Sequence, residues 1–210
     1  MNLVVYDIKD VPSECLPYIR RLINGRNFLY NIECWCLYLR NAPKSILEHP
    51  FIRFRLESCR QFRLHSIKKS TRKWADKPHL FIEERMFKRR LFIPHTFSSV
   101  KSNVIVSYID DNDVATTGFI VPEASLYDFG ILSSAMHMAW VRITCGKSSF
   151  DCRYSNTLCW NTFPLNVPSA SSRRKIELAA KRILDERAKH SECLANLYSI
   201  DKMPVDLKAA

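Results

Sequence analysis

Apolar positions recur along this chain with two periods, near two and near 3.6 residues, and the changes of period divide it into extended and helical stretches. A short apolar run, Leu3-Val4-Val5-Tyr6, precedes Pro12. Ser13 and Glu14 then introduce a stripe of Leu16, Ile19, Leu22 and Ile23, which predicts a helix stopped at Asn24-Gly25. The aromatic-rich run from Ile32 to Leu39 predicts a strand. Ala42-Pro43 opens a helical segment to about Glu48, broken by Pro50. From Phe51 a longer helix is expected, with Ile52, Leu56, Cys59 and Phe62 facing inward and Arg53, Arg55, Arg60 and Arg63 facing elsewhere. Residues 65–78 are polar, basic and poorly periodic, hence a loop with at most a short turn.

The middle of the chain reads as strands. Leu80 to Glu84, Leu91 to Ile93, Val104 to Ile109 and Ala115 to Val121 are the candidates, the last two joined by the acidic turn at 110–113. That turn lacks the glycine and distal glutamate of a calcium loop and reads as a solvated bend. Ser125, with Asp128 three residues on, caps a helix in which Phe129, Leu132, Met136, Ala139 and Trp140 recur as its core face. Gly146 ends it, a polar turn follows to Asp151, and Thr157 to Trp160 looks strand-like. After the linker and cap at 169–172, Ile176, Ala179, Ala180, Ile183 and Leu184 mark an amphipathic helix. A short helix from Glu192 to Tyr198 and a helix start at Pro204 complete the pattern. The sum is an α+β fold, a mixed sheet flanked by helices, with a helical C-terminal extension.

Charge changes the picture more than composition does. The 210 residues carry 32 Lys and Arg against 21 Asp and Glu, and between Arg53 and Arg90 thirteen basic residues meet only four acidic ones. Such a concentration is the footprint of a polyanion binder, because every phosphate neutralised releases condensed counterions. An ordinary solvated basic face has the same composition. Lys68, Lys69, Thr71, Arg72 and Lys73 combine cations with a hydroxyl and are the candidate phosphate contacts, with Arg153. No apolar run reaches the roughly 18 to 20 residues a membrane helix needs, and the N-terminus lacks a signal-peptide layout. A soluble, cytoplasmic protein with no membrane partner is expected. The eight cysteines include no Cys-x-x-Cys pair, so free buried thiols are expected rather than disulfides or zinc.

The sequence also carries a resemblance. The runs LYDFGILSSAMHMAWVR at 126–142, RYSNT at 153–157 and NTFP at 161–164 resemble the target-recognition region of MmeI-like (type IIL) restriction-modification enzymes, which couple adenine methylation of DNA to cleavage in one polypeptide. WCLYL at 35–39, KKSTRKWADKPHLF at 68–81, FIP at 92–94 and LANLYSIDKMPVDL at 194–207 agree in order. The resemblance implies that residues 1–12 are a severed linker from a methyltransferase domain, 13–167 a DNA target-recognition domain, and 168–210 a truncated helical region. Its implied partners are double-stranded DNA and the methyltransferase and nuclease domains of the same polypeptide. S-adenosylmethionine and a divalent metal are then cofactors of the full-length enzyme only, with none held by this chain.

Arg89, Arg90, Lys101, Asn103 and Lys147 are the candidates for reading base edges, whereas Tyr154 and Asn156 are expected to tie the turn to the central helix as scaffold. One departure from the family pattern falls where a Ser-Ser-Glu-Arg-Arg-like run is usual: residues 98–102 here are Ser-Ser-Val-Lys-Ser. No catalytic residue is expected. The chain lacks a glycine-rich loop for S-adenosylmethionine, an Asn-Pro-Pro-aromatic motif, a Gly-x-Ser-x-Gly and a nuclease-like set of spaced acids. A binder without sequence preference and a protein-interaction module remain as alternative readings.

Overall fold

The computed structural model describes residues 3–5, 7–83, 85–98, 101, 103–148 and 151–210. It opens with β1 (Val4–Val5), short 3-10 turns at Ile8–Asp10 and Ser13–Tyr18, β2 (Ile19–Ile23), α1 (Gly25–Tyr30) and β3 (Trp35–Leu37). Helices α2 (Lys44–Leu47), α3 (Pro50–Leu64) and α4 (Lys69–Arg72) follow. Then come β4 (Arg90–Pro94), β5 (Thr96–Ser98), β6 (Ser107–Ile109), β7 (Val114–Ala115) and β8 (Gly118–Val121). The remainder holds α5 (Leu126–Leu132), α6 (Ala135–Thr144), the pair β9 (Gly146–Ser148) and β10 (Asp151–Arg153), and a π turn at Asn156–Trp160. Helices α7 (Ala170–Ala188), α8 (Leu194–Leu197) and α9 (Val205–Ala209) close the chain. The fold is α+β, as the pattern implies, with its strands shared among three small sheets.

Contacts divide the chain into two units, each assembled from separate segments: Met1–Ile23, Glu33–Met86 and Asn112–Val114 form one, and Asn24–Ile32, Phe87–Asp111 and Ala115–Ala210 the other. The first unit is built on the sheet β1-β3-β2-β7, in which β3 pairs antiparallel with β1 and β2. Leu3, Val5 and Val11 lie in its core with Cys15, Ile19, Leu37, Leu39 and Ile52. The helix expected from Ser13 to Ile23 is instead a 3-10 turn and a strand. Pro17 removes a backbone donor inside that stretch, and the β-branched Ile19 and Ile23 suit a pleated ladder opposite β3. The strand expected at 80–84 does not form, the described residues 81–83 being irregular; Glu84 lies outside the described residues.

Helix α3 forms where expected with Ile52 and Cys59 buried, but its C-terminal turn departs from the expected stripe. Phe62 is 69% exposed while Arg63 is 6% exposed. The reason is a polar demand that an apolar side chain cannot meet: the Arg63 guanidinium donates to the carbonyls of Trp74 (3.0 Å), Lys77 (2.8 Å) and Leu80 (2.7 Å). Burying a charge is tolerated when every direction finds an acceptor.

The second unit holds two three-stranded sheets, β6-β4-β8 and β5-β10-β9. The strand expected over Val104 to Ile109 is confined to β6, and that over Ala115 to Val121 is split into β7 and β8. Strand β4 is buried along its whole length, and Leu91 and Ile93 join Phe129, Leu132, Met138, Val141, Cys152 and Tyr154 in the core. Ser125 and Asp128 form the expected capping box, Asp128 N–H to Ser125 Oγ at 3.2 Å and Ser125 N–H to Asp128 Oδ2 at 2.7 Å. Such a cap is worth about 1 kcal/mol.

The single helix expected from this cap is two helices. The Ser133 hydroxyl bonds back to the Phe129 carbonyl, and Ser134 Oγ accepts the His137 N–H at 3.1 Å, capping α6 afresh. The restart rotates the buried face, so Met136 is 58% exposed and Ala139 is exposed, while His137, Met138 and Val141 are buried. His137 Nε2 and the Tyr154 hydroxyl are 3.0 Å apart, and the His137 ring meets Trp160 and Phe163 edge-on. The RYSNT and NTFP runs thus wrap a buried histidine. Thr157 to Trp160 form a π turn rather than a strand, with Ser155 Oγ accepting the Leu158 N–H at 3.4 Å.

The C-terminal helices pack inside the second unit. Helix α7 crosses α5 at Gly130, where a Cβ would lie 2.6 Å from Ile176 Cγ2. Arg187, buried, donates to the Tyr198 hydroxyl (2.8 Å) and to the Val106 carbonyl (2.7 Å), with its guanidinium over the rings of Phe129 and Tyr198.

Candidate nucleic-acid interface

In the first unit the basic stretch is a short helix on a pinned loop. Arg72 Nη1 donates to the carbonyls of Ser66 (2.8 Å) and Ile67 (2.9 Å), and Ser66 Oγ accepts the Lys68 N–H at 3.3 Å. Arg72 therefore shapes the loop with its guanidinium as well as adding charge to it. Lys68, Lys69 and Lys73 are exposed, and among the described residues none of the three makes an ion pair; Thr71 is half-buried beside them. Three ammonium groups on a rigid turn can meet phosphates with little ordering cost.

The second unit places the expected base readers differently. Arg89 is exposed at φ 44°, a left-handed conformation uncommon for arginine. It is held there by Asp111 Oδ1, which accepts its N–H at 2.8 Å, and by the Ala124 N–H, which donates to its carbonyl at 2.9 Å. Strain held at an exposed cation is a pointer to function. Arg153, on β10, is also exposed.

Three of the expected readers donate to backbone carbonyls of the chain itself. Arg90 is 0% exposed and its Nη2 donates to the Asp110 carbonyl at 2.5 Å, so it cannot reach a base edge. Lys101 Nζ donates to the carbonyls of Ala195 (3.2 Å) and Tyr198 (2.8 Å), closing the end of α8, and burial lowers its pKa. Asn103 Nδ2 donates to the Ser133 carbonyl at 2.7 Å, at the break between α5 and α6. Alternation of polar residues in a loop does not tell which ones face the carbonyls of a helix end. The Lys147 backbone pairs with Cys152 in the β9–β10 ladder, and its side chain lies outside the described residues, as do Ser99, Val100 and Ser102 of the divergent 98–102 run.

Tyr154 is buried and contacts His137, whereas Asn156 is exposed and, among the described residues, its Oδ1 accepts only the neighbouring Thr157 N–H, at 3.0 Å. The sequence reading also missed Arg63 and the cavity its loop helps to enclose, lined by Tyr38, Trp74 and Phe81 among others. Their one sequence signal was the interleaving of aromatic and basic residues in KWADKPHLF.

All eight cysteines are free, and burial, with Cys152 and Cys159 close by, pushes the Cys145 thiol up to about 12, so it is protonated and unreactive at neutral pH. Among the described residues no group of three or more His, Cys, Asp or Glu is placed to hold a metal ion, and no helix is long and apolar enough to cross a membrane.

Known proteins resemble this chain over most of its length. A family model described as "MmeI, target recognition domain" matches residues 7–167. The chain is 34% identical over 202 residues to DNA methyltransferase A of Bacillus subtilis (strain 168), an alignment covering 94% of this chain and 23% of that protein. It superposes with a TM-score of 0.94 and 33% identity on a solved structure of the type IIL restriction-modification enzyme MmeI in complex with DNA, over 99% of this chain and 29% of that one. The chain thus spans about a quarter of the length of the proteins it matches.

Proposed function

Because the chain belongs to the family of MmeI target recognition domains, we propose that it docks on duplex DNA and reads base edges for catalytic domains of a larger restriction-modification polypeptide. Methylation of a flipped adenine and cleavage at a distance are the work of those domains, which supply the sites for S-adenosylmethionine and a divalent metal. This chain contributes position and choice. The observation that carries the reading is the set of exposed lysines Lys68, Lys69 and Lys73 on a loop pinned by Arg72, in a chain of this family. These lysines hold phosphates and carry no sequence information, while Arg89, its backbone locked and its exposed guanidinium held only by a long 3.5 Å bond to the Glu123 carbonyl among the described residues, reads a base pair in the major groove.

Salt dependence tests the phosphate part. Each phosphate contact contributes roughly 0.9 to the slope of log K against log salt. Replacing Lys68, Lys69 and Lys73 by alanine together is expected to reduce the magnitude of that slope by about 2 to 3, with weaker binding to every duplex and an unchanged circular dichroism spectrum. An unchanged slope would make this loop a solvated surface and assign the docking elsewhere.

A further inference from the structure

The loop that Arg63 pins does more than connect two elements. Its three hydrogen bonds to the carbonyls of Trp74, Lys77 and Leu80 fix the backbone from the inside. The side chains of that loop then face a cavity of about 180 Å³ in the first unit, lined by Trp74, Lys77, His79 and Phe81 together with Tyr38 and Arg40. Tyr38 and Phe81 are stacked, ring centroids 6.3 Å apart and planes 22° from parallel. Among the described residues no acidic residue lines the cavity, and Lys77 puts an exposed cation at it. His79 is half-buried, and desolvation, then the charges of Arg63 and Lys77, lower its pKa, so at neutral pH its imidazole is uncharged and able to accept or donate a hydrogen bond.

Size narrows the ligand. A cavity of roughly 150 Å³ accepts one benzene ring, so this one takes a single heterocycle and not a peptide or a run of stacked bases. Aromatic walls, a neutral imidazole and a flanking cation suit a flat, polar-edged ring attached to an anion. We infer that this cavity receives one nucleobase, with the attached phosphate held by Lys77. The inference rests on the DNA-binding reading above, and within it the base is one extruded from the bound duplex. Extruded bases are held in this way, stacked on aromatic side chains with their edges hydrogen-bonded.

The 210-residue chain is titrated with a fully paired duplex and with the same duplex carrying a single-nucleotide bulge, whose base is already unstacked. The bulged duplex is expected to bind more tightly by on the order of 5- to 150-fold, the worth of one base stacked on an aromatic side chain. Trp74→Ala should abolish that preference while leaving affinity and salt slope for the paired duplex unchanged. Lys77→Gln, at an exposed position, should reduce the preference without any risk to the fold. Equal loss on both duplexes with Trp74→Ala, or a preference that survives both substitutions, overturns the proposal. Loss of all DNA binding by the unaltered chain would instead remove the reading it rests on. A parallel titration with deoxyadenosine monophosphate separates the sources: saturable binding abolished by Trp74→Ala, without any preference for the bulge, assigns the cavity to a free nucleotide and overturns its assignment to DNA.

Discussion

Tyr154→Ala is expected to lower the unfolding free energy by about 3 to 5 kcal/mol, the cost of removing a fully buried aromatic ring and leaving a cavity. Tyr154 touches Phe97, Phe119 and His137, and its hydroxyl is bonded to His137 Nε2 at 3.0 Å. Alanine therefore loses ring packing and orphans a buried imidazole at once. Tyr154→Phe keeps the ring and should cost only about 1 kcal/mol. Urea unfolding followed by tryptophan fluorescence measures both. The same pair sets the acid sensitivity of the fold. Burial lowers the His137 pKa to about 4 from its ordinary 6.5, so the folded state holds this side chain neutral. That contribution is complete above pH 6.5 and is lost as the pH falls toward 4, at up to about 1.4 kcal/mol per pH unit. His137→Gln should flatten the stability profile across that window, and an equally steep profile in the variant would assign the acid sensitivity to other groups.

Arg63→Ala carries the second large effect. Hydrogen bonds from a charged donor contribute about 1.5 to 3 kcal/mol each, and three of them end on carbonyls of a single loop. Their partial non-additivity sets the expected loss at about 3 to 5 kcal/mol. Arg63→Lys cannot reproduce the fork and should recover less than half of it. Because the bonds converge on residues 74–80, hydrogen exchange should show faster opening of the Trp74, Ala75 and Lys77 amides, which donate within that loop. Uniform acceleration across the first unit would mean that Arg63 supports the whole sheet instead.

What could be read from the sequence, and what could not, follows the range of the interactions involved. The Ser125–Asp128 capping box, the start of α3 after Pro50 and the cap of α7 at Ser169 are local, and their side chains bond to a backbone a few residues away. The turn after β6 forms as expected but is not simply solvated: Asp113 is buried and Asp111 accepts the Arg89 N–H from 22 residues away. Most errors came where a distant partner decides, the local exceptions being the break at Ser133–Ser134 and the π turn capped by Ser155. Ile19 to Ile23 fits a helical stripe but is drawn into a ladder by β3. Arg63 is drawn inward by carbonyls eleven to seventeen residues away. Arg90, Lys101 and Asn103 look like free polar groups in a variable region, yet each donates to a carbonyl twenty or more residues off. Periodicity carries no information about such partners. Charge density did locate the pinned loop of Lys68, Lys69 and Lys73, because an ammonium that the fold offers no carbonyl stays solvated at the surface.

Selection of binding sites from a pool of random duplexes tests the central claim most directly, because it asks whether this chain chooses among sequences as well as holding phosphates. The chain is expected to enrich one short motif, and Arg89→Ala to relax a single position of it, a bidentate arginine contact being worth about 1 to 3 kcal/mol against the wrong base. Retention of DNA with no motif enriched would contradict the account, leaving a binder of phosphate backbones without target recognition.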